Sequence, residues 1–82
     1  MSKFEKVLKR LKTKPKDFSF TELQRLLQGF GYIEQQGAGS RVMFVNDRIQ
    51  HKIKLHKPHP ENILKRYQID LVIEELKRKE LL

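Results

Sequence analysis

Apolar positions recur at helical spacing near the start of the chain: Phe4, Val7, Leu8 and Leu11 fall on one face of a short helix over 4–11. Thr13-Lys14-Pro15-Lys16-Asp17 breaks it, because Pro15 disfavours helix at the residue before it. Ser19-Phe20-Thr21-Glu22 then reads as a capping box, with Phe18 and Leu23 spaced as its hydrophobic staple. Leu23, Leu26, Leu27 and Phe30 continue the buried stripe, and Gly31 is a natural stop.

The period then changes from helical to alternating. Three strands are predicted, over 32–36, 40–46 and 49–56. Gly37-Ala38-Gly39 supplies the first connection and Asn46-Asp47-Arg48 the second. In the third strand, alternation sends Lys52, Lys54 and His56 to one face and Ile49, His51, Ile53 and Leu55 to the other. Lys57-Pro58-His59-Pro60 is extended, since its prolines fix φ and bias their neighbours away from helix. Ile69, Val72, Ile73 and Leu76 mark a last helix, starting at Leu64 or Tyr67 and ending near Lys79.

The order α-α-β-β-β-α predicts an α+β fold, with an antiparallel three-stranded sheet and helices on one face, as in double-stranded-RNA-binding domains (dsRBD-like). Residues 1–82 form one expected domain, with 1–14 as an N-terminal helical extension. No apolar run is long enough for a membrane span, and lysines interrupt the start too often for a signal peptide. A cytoplasmic location is expected. With no cysteine, neither a disulfide framework nor a Cys-based zinc site can form.

Charge sharpens this outline. The net charge is +8, made up of +5 over 1–31, +4 over 32–68 and −1 over 69–82. The basic balance therefore lies in the first two-thirds of the chain and favours a polyanionic partner. All three histidines fall between His51 and His59, and no carboxylate lies between Asp47 and Glu61. Lysine attracts phosphate and imidazole moves protons near neutral pH, so this stretch points to RNA. The expected phosphate contacts are Arg41, Lys52, Lys54, Lys57, Lys65 and Arg66.

Alternation separates His51 from His56, and no carboxylate completes a shell, so no metal site is expected. The chain has no P-loop, no GxGxxG and no paired-carboxylate motif. No cofactor and no small-molecule substrate are expected. His51, in phase with the apolar positions, reads as a structural histidine, and Tyr32 and Phe44 as core residues.

Residues 18–80 resemble the HicA family of toxins, the mRNA interferases of HicA–HicB toxin–antitoxin pairs. The marks are Leu26-Leu27-Gln28-Gly29-Phe30-Gly31, Gly39-Ser40 followed by Phe44, and His59-Pro60-Glu61-Asn62. The resemblance implies a dsRBD-like fold, ribosome-independent cleavage of mRNA, and neutralisation by a HicB-type antitoxin. The family pattern places its catalytic histidine directly after Gly-Ser, where this chain has Arg41. A guanidinium can clamp a phosphate or stabilise a pentavalent transition state, but it cannot act as a base. His56 and His59 are then the candidates for the proton-carrying role, with Arg41 as electrostatic support. The alternatives are a non-catalytic RNA-binding module of the same fold and an adaptor whose basic face meets an acidic protein.

Overall fold

The computed structural model describes residues 3–82. The elements are α1 (Lys3–Lys12), α2 (Phe20–Phe30), β1 (Ile33–Gln36), β2 (Arg41–Asn46), β3 (His51–His56) and α3 (Arg66–Arg78). Strand order is β1-β2-β3, antiparallel throughout. The fold is α+β in the order α-α-β-β-β-α, as expected from the pattern. No helix is long and apolar enough to cross a membrane among the described residues.

The capping box starts α2 as its spacing predicts. Glu22 N–H donates to Ser19 Oγ at 3.0 Å, and Ser19 N–H donates to Glu22 Oε1 at 3.1 Å. Phe18 and Leu23, the staple, are both fully buried. Arg10 reaches across from α1 and grips the same carboxylate, Nε to Oε2 at 2.7 Å and Nη2 to Oε1 at 3.3 Å. Burial pushes the Glu22 carboxyl up, but hydrogen bonds from Arg10 and Ser19 outweigh that and hold it below its ordinary value. At the other end, Gly31 takes the left-handed conformation (φ 100°) and its N–H returns to the helix.

The core forms where the inner face of the sheet meets the helices. Phe44, Ile53, Leu26, Leu27, Ile69 and Leu76 are fully buried or nearly so. The expected N-terminal extension docks on the domain: Leu11 is completely buried, and Phe4 meets Phe30 edge-on at 5.0 Å. Gly29 makes that approach possible, because a Cβ there would collide with the Phe4 ring. Residues 1 and 2 of the expected extension lie outside the described residues.

The strands are shorter at their starts than the alternation suggests. Tyr32 precedes β1 and is buried in the core, and Ser40 belongs to the turn before β2. Ile49 lies in a 3₁₀ turn, Asp47–Ile49, and not in β3. Gln50, at φ 54°, closes that turn, and its backbone and side-chain N–H groups both donate to the Asp47 carbonyl. α3 begins at Arg66, one residue before the later of the two expected starts.

Candidate nucleic-acid interface

Register places the two faces of the sheet residue by residue. On the outer face, Ile33, Val45 and Lys52 form one row across the strands, and Gln35, Met43 and Lys54 the next. Arg41 and His56 face each other in the last row, beside Gly37. Ile33, Gln35, Arg41, Lys52, Lys54 and His56 are exposed, and Met43 and Val45 are half-buried. Among the described residues, no strand carboxylate stands on this face. A shallow hollow of about 260 Å³ lies over it, lined in part by Gln35, Gly37, Arg41, Met43 and Lys54.

His56 is oriented by a residue from another element. Ser40 Oγ lies 3.1 Å from His56 Nδ1, and the Lys57 N–H donates to the Ser40 carbonyl at 2.8 Å. The turn that delivers Ser40 contains Gly39 at φ 63°, with open space around its missing Cβ. The Ser40–His56 pair spans sixteen residues, a separation with no local spacing signal. Strand pairing alone brings the two side chains together.

The remaining expected phosphate-binding residues divide. Lys57 is half-buried just past β3. Lys65 and Arg66 are exposed at the start of α3, and Gln68 fixes that start to the sheet. The buried Gln68 side chain accepts from Lys65 N–H at 3.0 Å and donates to the His56 carbonyl at 2.8 Å. Arg66 also lies 3.6 Å from Asp70, whose carboxylate takes Lys14 Nζ at 2.7 Å. The Lys14 hydrogen bond is what chiefly holds the Asp70 carboxyl below its ordinary value. A second hollow, of about 200 Å³ between Lys14, Lys16, Leu64 and Arg66, therefore has two of its cations already engaged by Asp70.

His59 is exposed and has no hydrogen bond among the described residues; it lies past β3 in the loop leading to α3. The end of that loop is stitched to the start of α2. Ser19 bridges Ile63, Phe20 N–H donates to the Asn62 carbonyl at 2.9 Å, and Leu64 N–H donates to the Phe18 carbonyl at 2.8 Å. Asn62 Nδ2 also donates to Thr21 Oγ1 at 3.0 Å, which gives Asn62 an anchoring role. His51 points inward, as alternation predicts. Its Nδ1 lies 2.6 Å from the Tyr32 hydroxyl and its Nε2 lies 3.6 Å from Glu75 Oε1. Its cross-strand neighbour, Asn46, donates to the Phe30 carbonyl at the end of α2.

No family model, curated protein or solved structure matches this chain.

Proposed function

We propose that this protein is an RNA-binding toxin of the HicA type, which cuts mRNA without a metal or the ribosome. The observation that carries the reading is the outer sheet face. Arg41 and the Ser40-held His56 stand opposite each other there, at the end of a cationic row. Lys52 and Lys54 draw the phosphates in. A His56 ring that donates Nδ1–H to Ser40 leaves its Nε2 lone pair free to take the proton of a 2′-OH. The 2′-oxygen then attacks phosphorus, and Arg41 neutralises the charge gathering on the equatorial oxygens. His59 is the other exposed imidazole, and it would return a proton to the departing 5′-oxygen.

A small basic toxin of this kind pairs with an acidic HicB-type antitoxin that covers the same face, and charge steering speeds their encounter. Co-purification with the product of a neighbouring gene, and rescue of growth by it, would support the pairing. A neighbour that does neither would count against it.

The decisive assay uses a labelled transcript in EDTA. Wild type should cut it, and His59→Ala should bind it but not cut. Arg41→His should keep or raise the rate. If wild type leaves the transcript whole while Arg41→His cuts it, the natural chain is a non-catalytic RNA-binding module. Binding itself is tested by Lys52→Ala with Lys54→Ala. The slope of log affinity against log salt should flatten by roughly 0.7 for each single-strand phosphate that is no longer neutralised. An unchanged slope would remove the sheet face from the binding surface.

A further inference from the structure

The outer face is not uniformly cationic, and the way its chemistry is sorted selects between forms of RNA. The cations Lys52 and Lys54 form a column along β3. Beside it, β2 contributes Met43 and Val45, and β1 adds Ile33, which is 66% exposed. Ile33 is the most exposed large apolar side chain among the described residues, and it takes no part in the core.

We infer that this face takes RNA as an unstacked single strand, with its backbone along β3 and its bases across β2 and β1. The inference rests on the RNA-binding reading above and names the form of the ligand. Lys52 and Lys54 are two residues apart, and their Cα atoms stand about 7 Å apart along the strand. That separation is close to the repeat of an extended sugar–phosphate chain, so successive phosphates meet successive lysines. Strand spacing of about 4.8 Å then carries a base attached to that backbone over Met43 or Val45, and further out over Ile33. Burying these side chains against base faces is favourable, and the Met43 thioether suits a ring face or edge. Gln35, next to Ile33 on the β1 outer face and opposite Met43, offers an amide that can both donate and accept toward a base edge.

A duplex gains nothing from this arrangement. Its bases are stacked inside, and an A-form surface presents phosphates and 2′-hydroxyls, which would lose water against Ile33, Met43 and Val45 without gaining a hydrogen-bond partner. Single strands, whose bases can be splayed onto a platform, avoid that cost.

Anisotropy titrations would use three probes: a short 2′-O-methyl oligoribonucleotide, which cannot be cut through its 2′-oxygen; the same strand annealed to its complement; and an abasic strand with the same number of phosphates. The single strand should bind at least about tenfold tighter than either other form. Ile33→Ser combined with Met43→Ser should bring single-strand affinity down toward the duplex level and leave the salt slope unchanged. A melting curve would establish that this variant is folded. Duplex or abasic strand bound as tightly as the single strand overturns the inference but leaves RNA binding intact. If no probe binds while poly-glutamate does, the face belongs to an acidic protein, and both readings fall.

Discussion

His51 and His56 open and close the same strand, and an odd separation puts them on opposite faces of the sheet. His51 is 7% exposed, with one ring nitrogen on the Tyr32 hydroxyl and the other toward Glu75 on α3. The Tyr32 hydroxyl and His51 Nδ1 share a hydrogen bond at 2.6 Å, and Nε2 lies 3.6 Å from the Glu75 carboxylate. The ring thus sits inside the core, hydrogen-bonded through Nδ1 and with Nε2 turned toward α3. His56, in contrast, is exposed, with Nδ1 on the half-buried Ser40 and Arg41 across from it in the register. One residue type in one strand thus serves cohesion on one side and is available for chemistry on the other. Side-chain direction decides which.

Substitutions at the two positions should separate these roles. The largest effect expected is on His56: His56→Ala should lower transcript cleavage by at least about a hundredfold, with the unfolding midpoint unchanged. A variant that still cuts at the wild-type rate would show that the outer histidine is not the base. His51→Ala should do the reverse. It leaves the buried Tyr32 hydroxyl without its partner and opens a cavity in the core, for a loss of roughly 2 kcal/mol in a urea titration, while cleavage per folded molecule persists. Equal stability would break the contrast.

Tyr32→Phe sharpens it with a smaller effect, about 1 kcal/mol near neutral pH, because it removes one hydrogen bond and leaves the ring packing in place. The same residue gives a signature in base. Burial, aided by the Glu75 carboxylate, raises the Tyr32 phenol to about 12 from an ordinary value of 10.0. The folded protein therefore keeps its proton where the unfolded chain has lost it. This contribution is complete below pH 10 and disappears as pH rises from there to about 12. A stability profile across that window should be flatter for Tyr32→Phe than for wild type.

The smallest effect belongs to the ion pair outside both environments. Glu22 has its carboxyl held low, so its contribution is present above the ordinary carboxylate value and is lost as acid protonates it. Half-exposed partners keep Glu22→Gln under about 1 kcal/mol at neutral pH, and the difference from wild type should close further in acid.

Much of this is legible from residue order, because the signals are local. The Ser19–Glu22 box, the Gly31 stop and the inward turn of His51 each follow from spacings of a few residues. The late start of β3 has a specific cause. Ile49 continues the apolar alternation of β3, but Gln50 adopts a left-handed turn conformation that no glycine or asparagine announces. What pattern does not reach is pairing across distance. Ser40 looks chemically idle until antiparallel register brings it to His56, and Gln68 looks like a surface residue of a helix until its amide is placed, buried, on the β3 carbonyl. Ile33 reads as an ordinary strand residue, and only the β1–β2 register shows that it faces water.

The Ser19–Ile63 bridge has a consequence for how the molecule assembles. It closes a loop of about 44 residues, for which chain entropy exacts roughly 3 kcal/mol before any contact compensates it. The two hairpins, closed by short turns, carry no such penalty and can form early. The histidine-bearing loop is held at its far end by Phe18, Ser19 and Phe20, so its shape depends on a contact between distant parts of the chain that the hairpins do not need. The sheet face and the loop that carries His59 thus rest on different closures, the one on hairpins joined by short turns and the other on a contact between distant parts of the chain.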